Sequence, residues 1–285
     1  MKKEVITHSV KEYNEDQYLL LDNAALVIDG ASGLGRKILK APMSDAAWLT
    51  QKFCSYFSHH YNDKLNLNTL VENALEDIKK DYRDNLKFLD FERFEIPSFS
   101  FIFCQSTDDA IYIHSIGDCK ALCEHRDGGY ELVGESSLEA LDEQVIQLIS
   151  DLPKSLNAAE KRAKLLPKLR ENRSLMNRHD GYAIVNPVDF STSSISVKRF
   201  EKRFLKQVIL MTDGFYAACN PYHELSFQQL LDMVNQHGLP SALEYSRRIE
   251  NDDRTLCKHP RFKISDDATA VRLFLQARSS AREGG

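Results

Sequence analysis

A chain of 285 residues with 42% apolar and 28% charged residues, 15 Phe, 11 Tyr and one Trp has ample material for a hydrophobic core, which excludes global disorder. The 37 basic residues are outnumbered by 42 acidic ones, and a net charge of −5 makes nonspecific nucleic-acid binding a poor starting point. In chain order, apolar runs predict strands at 4–8, 17–22 and 24–29. Two amphipathic helices follow. The first carries Leu49, Phe53, Tyr56 and Phe57 on one stripe behind Ser44 as N-cap, and the second carries Leu67, Leu70, Val71, Ala74, Leu75, Ile78 and Tyr82. Strands are next predicted at 98–104, 110–115 and 120–124, with tight turns at Asp22-Asn23 and Asp127-Gly128-Gly129. Beyond them the pattern predicts helices at 136–151 and 155–175, strands at 181–185, 192–197 and 204–212, helices at 225–236 and 240–251, and a strand at 268–275. Without a regular βαβ alternation, this order predicts an α+β fold of antiparallel sheets covered by helices. Neither a repeat nor a linker interrupts it, so a single domain over 1–285 is expected, with about 276–285 a disordered tail.

No run approaches the roughly 18 apolar residues of a membrane span, and Met1-Lys2-Lys3-Glu4 leads into polar sequence, so the expectation is a soluble cytoplasmic protein without a membrane partner. The six cysteines form no C-x-x-C pair, which argues against zinc or a disulfide framework. Charge is segregated. Lys154 to Arg178 contains eight basic and two acidic residues, which reads either as a solvated helix face or as a wall that faces a substrate anion.

Two segments share one design: Ala25-Leu26-Val27-Ile28-Asp29-Gly30 and Val208-Ile209-Leu210-Met211-Thr212-Asp213-Gly214. Each is a buried apolar run ending in Asp followed by Gly, where the absence of a Cβ lets backbone approach a ligand. Glu15-Asp16 and Asp266-Asp267 border two further strands. Any one of these pairs is more often a turn or strand-end cap, but four in one fold weaken that reading. Carboxylates that converge cannot all ionise without a counter-charge, and none of these motifs contains a basic residue. All-oxygen ligation suits Mg²⁺ or Mn²⁺, and two such ions orient a phosphoryl group and acidify a bridging water.

The ordered set Asn14-Glu15-Asp16, Val27-Ile28-Asp29-Gly30, Ser115-Ile116-Gly117-Asp118, Met211-Thr212-Asp213-Gly214 and Asp266-Asp267-Ala268-Thr269 resembles the metal-dependent protein phosphatases of the 2C type, in a compact bacterial form. The resemblance implies a sandwich of two antiparallel sheets flanked by helices, with two Mn²⁺ or Mg²⁺ ions at one end and a third, looser ion in bacterial members. It implies that Asp29 bridges the ions, that the Gly30 carbonyl binds one of them, and that Asp213 and Asp266 bind the other. Glu15 and Asp16 would hold metal-bound waters, with Asp16 joining Asp29 in catalysis, and Asp118 would help bind the third ion. The implied activity is a serine/threonine protein phosphatase, a monomer acting on phosphorylated proteins with a metal-bridging water as nucleophile.

Three departures stand out. Lys11 occupies the place of an arginine that contacts phosphate, without the guanidinium fork. Ala31 follows the first Asp-Gly where many members have histidine, which leaves the general acid unassigned. The loop Gly30-Ala31-Ser32-Gly33-Leu34-Gly35-Arg36-Lys37 reads as a phosphate cradle or as a flexible loop entering a helix. The alternatives are a pseudophosphatase that binds a partner without turnover, and a phosphatase of a small phosphorylated metabolite.

Overall fold

The computed structural model describes residues 1–64, 66–134, 137–261 and 263–276. Among the described residues, ten strands form two five-stranded antiparallel sheets. One has the order β1 (Lys2–His8), β10 (Ala268–Phe274), β9 (Leu205–Met211), β6 (Lys120–His125) and β7 (Tyr130–Val133). The other has β2 (Gln17–Leu20), β3 (Ala24–Ala31), β4 (Ser98–Ser106), β5 (Ala110–Ile116) and β8 (Ser196–Glu201). The helices are α1 (Asp45–His60), α2 (Leu67–Asn85), α3 (Leu138–Ser150), α4 (Ala158–Arg173), α5 (Asp213–Tyr216), α6 (Phe227–His237) and α7 (Leu239–Asp252).

The apolar runs are continuous because both faces of the central strands are covered. In β3, Ala24, Leu26 and Ile28 pack toward α1 and α2, while Ala25 and Val27 face the other sheet. In β4, Phe99, Phe101 and Phe103 join the helical side, and Ile102 and Cys104 the inter-sheet core. Across the sandwich, Ile209, Met211, Ala268 and Ala270 turn outward to α5, α6 and α7, and Val208, Leu210, Val271 and Leu273 turn inward. The layers are therefore helix, sheet, sheet, helix, as expected from the sequence. Ser44 caps α1 by accepting from the Ala47 N–H at 3.2 Å.

Several expectations shift. Residues 181–185 contribute only isolated bridges, Phe99 to Val185 and Met176 to Tyr182, because Asn177 folds back to bond both the N–H and the carbonyl of Ile184. The strand expected at 192–197 begins at Ser196, after a 3₁₀ turn at Thr192–Ser194. Strand β7 was not foreseen, since Tyr130–Val133 is short and half exposed. Of the tail expected at 276–285, all beyond residue 276 lies outside the described residues. Among the described residues no helix is long and apolar enough to cross a membrane.

Candidate functional site

Strand periodicity decides which acidic side chains meet. Gln17 pairs with Ile28 across β2 and β3, and continuing that register sets Asp16 opposite Asp29 and Glu15 opposite Gly30. Asp29 has the parity of Ala25 and Val27, so it extends the inward row at the end of the sandwich. Asp16 shares the parity of Tyr18, which packs on the same core, and its Oδ2 accepts from the Thr212 hydroxyl of the facing sheet at 2.9 Å.

Glu15 has the opposite parity and is turned aside. Its side chain accepts from Ser32 and pairs with Lys11, while its carbonyl accepts from Thr50 of α1 at 3.1 Å. A Cβ on Gly30 would lie 2.4 Å from that carbonyl and 2.9 Å from Thr50 Cγ2, so only glycine lets the two segments close here.

Asp213 opens α5 directly after β9 and its Thr212 cap residue. Asp118 sits in the turn that carries the chain from β5 to β6, and hence from one sheet to the other, behind Gly117 at φ +75°. Tyr216 steadies this turn by donating to the Asp118 carbonyl at 2.9 Å. Asp266 precedes β10. Its neighbour Asp267 works as a clamp, accepting from the Glu15 N–H at 3.0 Å, the Ser9 hydroxyl at 2.9 Å and the Val10 N–H at 3.3 Å. Burial opposes the Asp267 charge, but these bonds and Lys11 outweigh it and hold its pKa below the ordinary value.

Asp16, Asp29, Asp118, Asp213 and Asp266 thus come together from five segments. Burial, with Asp213, Asp16, Asp118 and Asp266 around it, drives the Asp29 carboxyl well above the usual range. Burial and Asp266 do the same to Asp16 against the Thr212 bond. Asp213, within hydrogen-bonding reach of Asp29, is pushed up to about 7 by burial and then by Asp266 and Asp118.

Basic residues do reach this cluster, contrary to the expectation drawn from the motifs alone. Lys11 pairs with Glu15 and lies 3.4 Å from Asp267 and 3.7 Å from Asp266, so it is engaged with three carboxylates. Lys263 pairs with Asp266; its side chain is 44% exposed, yet its ammonium faces inward. Burial works against that charge, but Asp266, Asp213 and Asp29 outweigh it and raise its pKa. Nothing in the motifs signalled Lys263, although it stands three residues before Asp266. Asp142, on α3, was also missed. It lines the same cavity of about 100 Å³ with Asp118, Asp213, Lys263 and Asp266, and burial followed by Asp118 and Asp213 pushes it up to about 8.

In the glycine-rich loop, two of the amides that a phosphate cradle would use are already taken. Leu34 N–H donates to the Phe94 carbonyl at 2.7 Å, Arg36 N–H donates to Glu95 at 2.7 Å, and a Cβ on Gly33 would collide with the Glu95 backbone at 2.2 Å. The loop is pinned rather than flexible, and its Leu34 and Arg36 amides are spent on that contact.

Among the described residues, no three acidic, histidine or cysteine side chains converge closely enough as they stand to hold an ion. Thr212 and the two lysines draw Asp16 and Asp266 aside. The donor set still fits a hard divalent cation. It is all oxygen, its carboxyls resist ionising without added positive charge, and Asp213 Oδ1 is buried with no hydrogen-bond partner.

Comparison with known proteins shows the family and the fold. The family model for Protein phosphatase 2C matches residues 9–246. No curated protein sequence matches the chain. The solved serine/threonine phosphatase PstP/Ppp of Mycobacterium tuberculosis superposes with a TM-score of 0.57 at 11% identity, covering 96% of this chain and 98% of that one. The catalytic domain of serine/threonine protein phosphatase PstP in complex with two manganese ions gives 0.57 at 12%, covering 96% and 98%. Stp1 from Staphylococcus aureus gives 0.55 at 12%, covering 96% and 95%. At these identities the likeness is one of fold.

Proposed function

The chain belongs to the protein phosphatase 2C family of metal-dependent phosphatases, and from that premise we propose that it hydrolyses phosphoserine and phosphothreonine monoesters in proteins, with two Mn²⁺ or Mg²⁺ ions as cofactor. The observation that carries this reading is the meeting of Asp16, Asp29, Asp118, Asp213 and Asp266 at one end of the sandwich. When bound, divalent ions supply Lewis acidity toward the phosphoryl oxygens and bring the pKa of water near neutrality, so that it attacks phosphorus.

The chain's own residues prepare the place. Asp29, central to the cluster, would be shared between the ions, with the Gly30 carbonyl beside it, and Asp213 and Asp266 would hold one ion. Asp16, held by Thr212, and Glu15, held by Ser32, would orient water around them. Asp118, which lines the cavity, would help hold a further, looser ion. Burial and mutual repulsion favour the protonated forms of Asp16 and Asp29, and the ammonium of Lys263 offsets part of the charge of Asp266.

The deciding experiment measures phosphate release from a phosphopeptide and from an aryl phosphate with Mn²⁺, Mg²⁺ or chelator, for the wild type and Asp29→Asn. Metal-dependent release lost in the variant is the expected result. Binding of Mn²⁺ without release from any phosphopeptide would replace the enzyme with a binding module, and release from small phosphate esters alone would move the substrate to a metabolite.

A further inference from the structure

The basic stretch set apart in the sequence splits in the fold. Lys161 is buried and donates to the carbonyls of Thr255 at 2.8 Å and Leu256 at 3.2 Å, a purely structural tie. Arg178 is exposed. Arg173, the last residue of α4, reaches the end of β3. Its Nη2 donates to the carbonyl of Ala31 at 2.5 Å and to that of Ile96 at 3.3 Å.

Ala31 is two residues beyond Asp29 on one strand, a separation of about 7 Å at the rise of an extended chain. The acidic groups whose charge the guanidinium feels are Tyr182, Glu15 and Asp118, the last a member of the aspartate cluster. None pairs with it. Glu15 is taken by Lys11 and Ser32, and no carboxylate among the described residues forms an ion pair with Arg173. Its Nε is buried and has no hydrogen-bond partner, and its Nη1 donates to nothing among the described residues.

The other cations around this end are committed: Lys11 to Glu15, Asp266 and Asp267, Lys263 to Asp266, Arg261 to Asp253, and Arg36 to Glu95. A half-buried guanidinium with no anion opposite it keeps unused N–H donors, and that fork matches a phosphoryl group.

We propose that Arg173, and not Lys11, binds the phosphoryl group of the substrate, with its Nη2 anchored on Ala31 and Ile96 and its remaining donors turned to the phosphoryl oxygens. This rests on the phosphatase reading above. The recognised chemistry is the phosphoryl dianion itself, so the contribution is the same for a phosphopeptide and for a small phosphate ester.

The test compares wild type, Arg173→Lys, Arg173→Gln and Arg173→Ala, all loaded with Mn²⁺. Three quantities are read: binding of inorganic phosphate by calorimetry, KM and kcat for a phosphopeptide and an aryl phosphate, and Mn²⁺ affinity. Arg173→Lys keeps the charge and a donor close to the Ala31 and Ile96 carbonyls, whereas Arg173→Gln and Arg173→Ala lose both, so thermal melts of all three separate lost charge from lost structure. The proposal expects phosphate affinity to fall about tenfold or more in Arg173→Gln and Arg173→Ala and less in Arg173→Lys. KM should rise by a similar factor for both substrates, with Mn²⁺ affinity within about twofold of wild type. Unchanged phosphate binding, a KM rise confined to the peptide, or a parallel loss of Mn²⁺ binding and thermal stability in Arg173→Gln would each overturn it. Because phosphate binding is read without turnover, a wild type that releases no phosphate would defeat the phosphatase reading while Arg173 is still tested.

Discussion

The ammonium of Lys263 pairs with Oδ2 of Asp266, three residues further on, at the edge of the aspartate cluster. Any divalent ion that takes Asp266 must displace a cation already in place. Replacing Lys263 by Met removes the competitor, so Mn²⁺ should bind about two- to fivefold more tightly, the equivalent of an exposed ion pair of up to about 1 kcal/mol. The same variant should melt lower in chelator, where Asp266 keeps only the more distant Lys11. Titration calorimetry and paired melts decide this, and weaker Mn²⁺ binding in Lys263→Met would contradict it.

Metal stabilisation should depend on pH in a definite direction. Asp213 has an ordinary value of 3.8 and a folded value of about 7, so the folded chain binds the extra proton between these limits. Without metal its contribution is fully present below about 4 and is lost as pH rises through about 7. A cation restores what ionisation removes. Melts with Mn²⁺ at a hundredfold excess over its Kd should show about 2.7 kcal/mol of stabilisation at saturating pH. The gap between Mn²⁺ and chelator should widen from pH 6 to pH 8, and a constant gap would show that Asp213 does not titrate with metal binding.

Asp213→Asn should separate function from stability. The amide cannot ionise, so the chelated protein at pH 8 should melt a few degrees higher, on the order of 1 to 2 kcal/mol. Metal-dependent turnover should fall by about a hundredfold or more at any substrate concentration. A variant that is both less stable and inactive would point to a structural role alone.

Gly30→Ala tests the closure of β2 on β3. A methyl group 2.4 Å from the Glu15 carbonyl forces the segments apart, with an expected loss of about 1 to 3 kcal/mol, or roughly 2 to 5 °C in midpoint. Mn²⁺ affinity should fall with it, because the shift separates Asp16 from Asp29.

What the sequence made legible was the part governed by short-range periodicity. The strands flanking Asp29 and Asp213 are buried on both faces, so their composition alone marks them, and the Asp-Gly pairs at their ends are visible as breaks. The split between Asp16 and Glu15 was also written there, since adjacent strand residues face opposite ways, but it became readable only once the register of β2 against β3 was known. Arg173 was visible only as one of the eight basic residues of the 154–178 run, and Lys263 had no assigned role, for a different reason. Each acts through one long side chain ending at a group set by tertiary packing, Arg173 across 142 positions to Ala31. The cluster from Asn177 to Ile184 was misread because a side-chain amide substitutes for a neighbouring strand, which no apolar pattern reveals.

Strand β1 pairs along its whole length with β10, and Asp267 fastens Ser9, Val10 and Glu15, so the first and last portions of the fold are stitched to each other beside the aspartates. During synthesis at about 5 to 20 residues per second, the first strand therefore waits on the order of 13 to 52 s for its partner to leave the ribosome. Asp16 and Asp29 are made early, but Asp266 and the clamp beneath it arrive among the last residues of the fold. The nascent chain spends that interval with an unpaired strand edge and no assembled centre, and catalytic competence begins only when the final strand docks.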